Sequence, residues 1–312
     1  MSEYQYYEFT AVDRPLTGRE RAELRSLSTR ADITATSFVN TYEWGNFKGD
    51  PRKLVERYFD AHLYLANWGT HQLILRLPKH VLDPATAARY CQSDSASAWT
   101  AGKNVVIDLR DEDEDGADEW DLDGHGLLAS IIPVRAGLAA GDLRLLYLAW
   151  LRCVQSEEIA DDEPEPPVPA GLGTLDASLT ALAEFLRIDP DLIATAAAGS
   201  SPAASGEPTT AQLRTWVVGL PGRDKDAIMT DLTAGGDCHL RGRLLRRYRD
   251  AHRTDTPTPA TARTAGELQA TAADLRAERE RRDAEQRERN RISRERSAAA
   301  ARQRHLDTLT VD

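Results

Sequence analysis

The chain has 312 residues, of which 41% are hydrophobic and 29% charged, and its formal net charge is −11. This composition is typical of a folded protein with room for about two domains, and it argues against wholesale disorder. The negative charge argues against a general nucleic-acid coat, although a local basic patch stays compatible with it. The three cysteines lie far apart in sequence and resemble neither a disulfide framework nor a cysteine-based zinc site.

The chain has no predicted membrane or export segment. Its longest uncharged apolar stretch, residues 126–134, is far shorter than the roughly 18 residues that span a bilayer. The N-terminus has no basic segment followed by an apolar one, as a signal peptide would. We therefore expect a cytoplasmic protein that does not bind a membrane.

Residues 1–156 are predicted to form an α+β domain. Alternation of apolar and polar residues through Tyr7 and Phe9 predicts a first strand. Helix starts follow at the capping box Thr17–Glu20 and at Asp50-Pro51. Further strands and helices alternate up to residue 156, which is the pattern of an α+β fold.

A hairpin is predicted within this domain, with residues 61–66 and 71–77 joined by a turn that contains Gly69. In the predicted register, His62 lies opposite Leu75.

The rest of the chain is predicted to be helical. Residues 157–173 are acidic and rich in proline, which predicts a linker. Residues 174–252 carry several short amphipathic patterns and are expected to form a small all-α domain. A Thr/Pro-rich linker at 253–263 then leads into one long charged helix at 264–306.

The long helix has a sparse apolar seam, which leaves three interpretations open. It can be a solvated helix held by ion pairs between successive turns, a coiled coil with a partner, or a disordered tail. The predicted partner-binding positions are the apolar residues of that seam: Leu268, Ala272, Leu275 and Ile292.

An acidic run resembles the first half of a calcium-binding loop. Asp111, Asp113 and Asp115 have the spacing of the first three ligands, and Glu119 stands at the ninth position. Leu122 replaces the final bidentate glutamate, and a predicted strand precedes the run, so an EF-hand is excluded. Three interpretations stay open: a calcium loop that follows a strand, a solvated acidic loop, or a docking strip for a basic partner.

A basic segment follows Cys238. Its arginines are spread around one predicted helix, which is typical of a surface helix and also compatible with binding to a phosphate backbone. The nucleic-acid candidates are Arg241, Arg243, Arg246, Arg247 and Arg249.

No motif predicts a cofactor or a catalytic centre. The sequence lacks a phosphate-binding glycine loop, an H-E-x-x-H motif and a G-x-S-x-G motif. The adjacent pair Cys238-His239 favours a structural role, because catalytic cysteine and histidine usually come from separate segments. An enzyme would need a site assembled from dispersed residues, and the candidates for it are Trp44, Asp50, His62, Trp68 and His125.

Several short stretches resemble a widespread, uncharacterised bacterial protein family. They are the segment RPLT at residues 14–17, TSFVNTYEWG at 36–45, FKGDP at 47–51 and YLANWG at 64–69. The resemblance covers roughly residues 1–250 and implies a charged C-terminal helix. It brings no established activity and no catalytic residues.

These observations favour a non-enzymatic adaptor that binds a protein partner through its C-terminal helix. One alternative is a nucleic-acid-associated protein that uses residues 241–253 and the tail. The other is an enzyme with a dispersed site in the α+β domain. The sequence leaves the partner and the oligomeric state open.

Overall fold

The computed structural model describes residues 3–112, 124–202, 208–233, 238–252 and 263–309, with side chains described up to residue 297. The predicted Thr/Pro linker therefore lies outside the described residues, apart from Arg263.

The described strands form one antiparallel sheet in the order β2-β3-β1-β4-β5-β7-β6. They are β1 Gln5–Thr10, β2 Asp32–Ile33, β3 Ser37–Tyr42, β4 Ala61–Ala66, β5 Thr70–Pro78, β6 Ala96–Ala101 and β7 Asn104–Glu112. The predicted α+β character of the N-terminal region is confirmed at this coarse level.

The helices of the N-terminal half are α1 Gly18–Leu27, α2 Pro51–Arg57, α3 Pro84–Tyr90, α4 Leu127–Ile131, α5 Pro133–Ala139 and α6 Arg144–Gln155. The later helices are α7 Ala177–Phe185, α8 Pro190–Ala198, α9 Thr210–Gly219, α10 Gly222–Thr233, α11 Leu240–Ala251 and α12 Ala265–Leu309. Within the described part of the chain, none of them combines the length and the apolar character that a bilayer span requires.

Several local signals of the sequence lie where they were predicted. The capping box of Thr17 and Glu20 starts α1, and the side chain of Asp50 accepts a hydrogen bond from the backbone N–H of Lys53 at the start of α2. The predicted hairpin is β4–β5, but its register differs by one residue. His62 lies opposite Ile74 rather than Leu75, because the turn places Thr70 at the first position of β5.

The sheet is covered on both faces. Helices α1 and α2 cover one face, over a cluster that includes Phe9, Phe38 and Phe59. The other face packs against most of the remaining helices, and fully buried Trp150 of α6 lies in that core. Burial of large aromatic and aliphatic side chains on both faces supplies the main driving force for this fold.

The core on the second face extends well beyond residue 156. Leu182 of α7 and Leu192 of α8 belong to the same hydrophobic cluster as Leu73 of the sheet. The first two helices of the predicted all-α domain therefore share the core of the α+β domain. The limits 174–252 for a separate domain stay a prediction.

The acidic, Pro-rich segment 157–173 is fastened to the start of α12. The backbone N–H of Glu165 donates to the carbonyl of Arg263 at 2.8 Å, and that of Ala265 donates to the carbonyl of Glu163 at 3.0 Å. These bonds flank an antiparallel bridge between Pro164 and Thr264. The segment predicted to be a linker thus acts as a short strap that holds the C-terminal helix.

A buried ion pair reinforces the strap. Two nitrogens of Arg263, Nε and Nη2, lie 2.9 Å from the two carboxylate oxygens of Glu165. The hydroxyl of Tyr147 on α6 also donates to this carboxylate. Arg263 Nη1 donates to the carbonyl of Thr195 on α8 at 2.8 Å. One guanidinium therefore joins the strap, α8 and α12.

Replacement of Arg263 by alanine is expected to destabilise the protein substantially. The carboxylate of Glu165 is 4% exposed and would lose its charged partner. Since breaking a buried pair costs about 3–5 kcal/mol and Arg263 is itself partly exposed, we expect a loss of about 2–4 kcal/mol. Urea unfolding measures this loss. The control Arg281→Ala, at an exposed position of α12, should change stability by less than about 0.5 kcal/mol. Equal effects of the two substitutions would contradict a structural role for Arg263.

Candidate functional site

The predicted partner-binding seam of α12 divides into a buried and an exposed part. Leu268 is fully buried and Ala272 is 3% exposed, and both belong to the core shared with the sheet. Leu275 and Ile292 are each 37% exposed. In this structure Leu268 and Ala272 therefore pack inside the chain and do not form part of its surface, whereas partner binding by the seam stays a prediction for Leu275 and Ile292.

The base of α12 is fastened to the body by polar contacts as well as by burial. Gln269 Nε2 donates to the carbonyl of Val154 on α6 at 2.6 Å. Arg276 pairs with Asp189, which caps α8, and Arg279 pairs with Asp191 in the first turn of α8 at 2.7 Å. Acidic groups at a helix N-terminus are favourable by themselves, so these arginines meet carboxylates that α8 already holds in place.

Beyond Arg279 the helix is exposed along its whole described length. Every described side chain from 280 to 297 is exposed. The described ion pairs here run along the helix itself, as in Glu278–Arg282 at 2.6 Å and Arg291–Glu295 at 2.8 Å. Pairs of this kind stabilise a helix by about 0.3–0.5 kcal/mol each. The outer segment can thus stay helical without packing on the body.

The predicted nucleic-acid arginines lie on α11, and most of their described contacts are internal. Arg246 donates to the carbonyl of Val81 at 2.9 Å, and Arg249 donates to that of Ala140 at 2.8 Å. Arg243 pairs with Asp231 at 2.8 Å and Arg247 with Asp224, both on α10. Arg241 also has an interaction within the chain. These guanidinium groups dock α11 on the protein, which leaves less positive charge for a phosphate backbone.

The close packing of α11 on α5 depends on a glycine. A Cβ atom at Gly242 would lie 3.0–3.1 Å from the backbone carbon and oxygen of Ala139. Because those atoms are backbone, they cannot move aside cheaply.

Of the predicted calcium ligands, only Asp111 lies in the described part of the chain; Asp113, Asp115 and Glu119 lie outside it. The carboxylate of Asp111 is 1% exposed and contacts two guanidinium groups, Arg152 at 2.8 Å and Arg187 at 3.0 Å. These two positive charges oppose a cation at Asp111. Asp111 instead connects β7 to α6 and to the end of α7.

Buried His71 contacts Arg187, which also pairs with Asp111. His71 Nδ1 lies 2.6 Å from the carbonyl of Phe185, and its Nε2 lies 3.0 Å from Arg187 Nη2. Since Nδ1 must donate to the carbonyl, Nε2 accepts from the guanidinium and the ring is neutral. Burial lowers the pKa of His71 to about 4.

The residues of the predicted dispersed active site do not come together. His62 stacks on Phe9, on the face of the sheet covered by α1 and α2, whereas His125 packs against Tyr6, whose side chain belongs to the other core. The remaining three are surface residues: Trp44 is 67% exposed, Trp68 is 40% exposed, and Asp50 is the exposed cap of α2. This arrangement gives the enzyme alternative no support.

A polar cluster that the sequence did not reveal joins the loop after β1 to the start of α11. Asp13 Oδ1 lies 3.1 Å from His239 Nε2 and 3.3 Å from Cys238 Sγ. Asp13 Oδ2 pairs with Arg135 of α5 at 2.7 Å. Burial alone would raise the pKa of Asp13, but the hydrogen bonds from His239 and Arg135 outweigh it and hold this pKa well below its usual value.

Buried Asp60 binds the backbone of the loop that carries Asp13 and so belongs to the same polar cluster. Its Oδ2 accepts from the backbone N–H groups of Val12 and Asp13 at 2.7 and 2.8 Å, and its Oδ1 pairs with Arg76 at 2.7 Å. The loop that carries Asp13 is therefore held rigidly. No sequence signal connects residues 13 and 239, because their proximity exists only after α5 and α11 have packed together.

The pair α9–α10 carries exposed apolar side chains. Val218 is 70% exposed, Leu232 60% and Met229 56%. Trp216 makes an edge-to-face contact with Tyr248 of α11. This exposure was not predicted, since the short amphipathic patterns were expected to bury these residues in a small bundle.

Comparisons of the chain with protein-family models, with curated proteins and with solved structures give no match. The case for a function therefore rests on the geometry of this chain alone.

Replacement of Gly242 by valine is expected to separate α11 from α5. The added side chain would collide with the backbone of Ala139, so α11 and its arginine contacts should detach while the sheet stays folded. Hydrogen exchange measured by mass spectrometry should show faster exchange in residues 240–251 and unchanged exchange in the strands.

The matched control is Gly219→Val, at a helical glycine with no atom within 4 Å of an added Cβ. Unchanged exchange in α11 of Gly242→Val would contradict the docking described above.

Stability should fall on mild acidification, partly through His71. In the unfolded chain a histidine has a pKa near 6.5, so between pH 6.5 and about 4 the unfolded state binds more protons and stability decreases as pH falls. From pH 7 to pH 5 the wild type should lose roughly 2 kcal/mol more than His71→Asn, as measured by urea unfolding at both pH values. The control His80→Asn, at an exposed position, should show the same change in unfolding free energy between pH 7 and pH 5 as the wild type. If His71→Asn also shows the wild-type change, His71 is not the source of this pH dependence.

Proposed function

We propose that this protein is a non-enzymatic cytoplasmic adaptor that binds a protein partner through the outer segment of α12, residues 280–309. The observation that carries the proposal is the contrast between the two parts of this helix. Its base is buried and paired with the body, whereas its described outer side chains are all exposed. A helix mounted in this way presents a long surface at a fixed place on the protein.

The dimensions of the outer segment fit a recognition element. Residues 281–309 are helical, which corresponds to about 44 Å at 1.5 Å per residue. Ion pairs within the segment lower the cost of keeping it helical before a partner binds. Preorganisation of this kind favours binding, because less conformational entropy is lost on association.

The chemistry of the segment indicates a polar partner surface. Residues 280–297 contain seven arginines and five acidic residues, and Ile292 is their one large apolar side chain. A heptad seam needs an apolar residue about every 3.5 positions, so a coiled coil driven by an apolar core is not favoured. The partner we propose carries a complementary pattern of both charges, and its binding should weaken as salt increases.

The alternatives draw less support from the geometry. The arginines of α11 are occupied by carbonyl and carboxylate groups of the chain itself. The dispersed catalytic candidates lie on different faces of the sheet. The cytoplasmic placement is supported by the three cysteines, which form no disulfide bond with one another, as is usual in a reducing compartment.

The test compares the full chain with a truncation that ends at residue 281. This end point keeps Leu268, Arg276 and Arg279, which belong to the folded body, and removes nearly all of the outer segment of α12. Both proteins are used, after nuclease treatment, to capture partners from the native host, and the binding of each purified partner is then reconstituted. We expect one defined protein to bind the full chain at a fixed stoichiometry and not to bind the truncation.

A pair of matched substitutions sharpens the test. Arg289→Glu and Arg19→Glu each break an exposed ion pair of i,i+4 type, the first on α12 and the second on α1. Arg289→Glu should weaken the reconstituted complex about tenfold, equivalent to ~1.4 kcal/mol, while Arg19→Glu should leave it unchanged. A partner that still binds the truncation, and is lost instead in Met229→Ser on α10, would contradict the proposal.

A further inference from the structure

We propose that Asp13, Cys238 and His239 form a binding site for a divalent transition metal of the zinc class. The three residues offer a carboxylate oxygen, a thiol sulfur and an imidazole nitrogen, and these ligand atoms all lie within 4.8 Å of one another. Zinc is bound by this combination of donors in proteins. The inference is independent of the function proposed for α12.

The distances between the ligand atoms agree with a shared metal ion. Zinc lies about 2.0 Å from nitrogen or oxygen and about 2.3 Å from sulfur. In a tetrahedral arrangement these bond lengths place nitrogen and oxygen ligands roughly 3.3 Å apart and sulfur and oxygen ligands roughly 3.5 Å apart. The observed separations are 3.1 Å for His239 Nε2 to Asp13 Oδ1 and 3.3 Å for Cys238 Sγ to the same oxygen. The third separation, between Cys238 Sγ and His239 Nε2, is at most 4.8 Å, so all three are compatible with one shared ion.

The carboxylate of Asp13 is oriented by groups that do not bind the metal. Arg135 holds the second oxygen, Oδ2, at 2.7 Å, which leaves Oδ1 directed at Cys238 and His239. Asp60 fixes the backbone of the same loop through the N–H groups of Val12 and Asp13. Outer contacts that orient ligands in this way are a regular part of protein metal sites.

The cation nearest the ligand atoms is Arg135, whose Nη2 lies 2.7 Å from Asp13 Oδ2 and 3.5 Å from His239 Nε2. It opposes a metal ion as the guanidinium groups do at Asp111, and here the thiolate of Cys238 supplies a compensating negative charge. Asp13 and Asp60 balance Arg76 and Arg135. Binding of a divalent cation to the thiol forms a metal–sulfur bond and breaks the S–H bond of Cys238, and that proton leaves to solvent. In the metal-free protein the Nε2–H of His239 donates to Asp13 Oδ1. The metal bonds to Nε2 in place of this hydrogen, and the ring proton moves through solvent to Nδ1. Because a proton is released, affinity should increase with pH.

The position of the site gives the metal a structural consequence. Asp13 follows β1, whereas Cys238 and His239 immediately precede α11. A shared ion would hold the start of α11 against the body. Cys238 is exposed, so solvent reaches the site and a water molecule can supply the fourth ligand.

The experiment titrates the purified full chain, stripped of metal by a chelator, with Co²⁺ and then with Zn²⁺. We expect one equivalent of Co²⁺ to give the sulfur-to-cobalt charge-transfer absorption, which Zn²⁺ abolishes by displacement. Cys238→Ser should remove this absorption and weaken Zn²⁺ binding, measured by equilibrium dialysis, by about tenfold or more. Zinc should raise the melting temperature of the wild type and not that of Cys238→Ser.

Two further variants keep the result interpretable. His239→Ala should also abolish tight binding, whereas His252→Ala, at an exposed histidine just after α11, should leave it intact. Because Cys238 is exposed, Cys238→Ser should fold normally, and circular dichroism checks this. Absence of the cobalt absorption in the wild type, or equal zinc affinity in the wild type and Cys238→Ser, would overturn the proposal.

Discussion

The ion pair between Glu165 and Arg263 holds together segments that the chain order separates by about a hundred residues. A carboxylate this deeply buried requires a positive partner, since an unpaired charge in the interior is strongly unfavourable. Arg263 provides that charge and uses its remaining donors on the carbonyl groups at the end of α8. The backbone bridge at Pro164 and Thr264 then fixes the direction in which α12 leaves the body.

This attachment explains why α12 has two characters along one continuous helix. Near its base, the small side chains of Ala265 and Ala272 allow close approach, and Leu268 enters the core. Further along, the helix is rich in arginine and glutamate, and ion pairs between side chains on successive turns stabilise its helical conformation. The base of α12 stabilises the body through its buried residues, whereas the described outer part is exposed to solvent. The adaptor role that we propose depends on this combination of a buried base and an accessible outer helix.

The sequence predicted the parts of the fold that depend on local interactions. The capping box at Thr17 and the helix start at Asp50 were predictable because the cap side chain and the backbone N–H that donates to it lie within three residues of each other. The hairpin β4–β5 was readable from its turn, although its register was wrong by one position.

Features that depend on distant packing were not predictable in this way. Segment 157–173 was interpreted as a linker because its composition excludes regular structure, yet it needs only a few backbone bonds to become a strap. The sequence of α11 does not indicate that two of its arginines, Arg246 and Arg249, donate hydrogen bonds to the carbonyl groups of Val81 and Ala140. Asp13 and Cys238 are 225 residues apart, and no periodicity or spacing reports on such a contact.

Native-state hydrogen exchange along α12 tests most directly whether this helix is rooted in the body and projects beyond it. If it is, amides in residues 265–279 should open only with the unfolding of the body and should match those of α6, while amides in residues 281–297 should exchange orders of magnitude faster. Uniform exchange along the whole helix, or a base that exchanges as fast as the outer segment, would contradict the account.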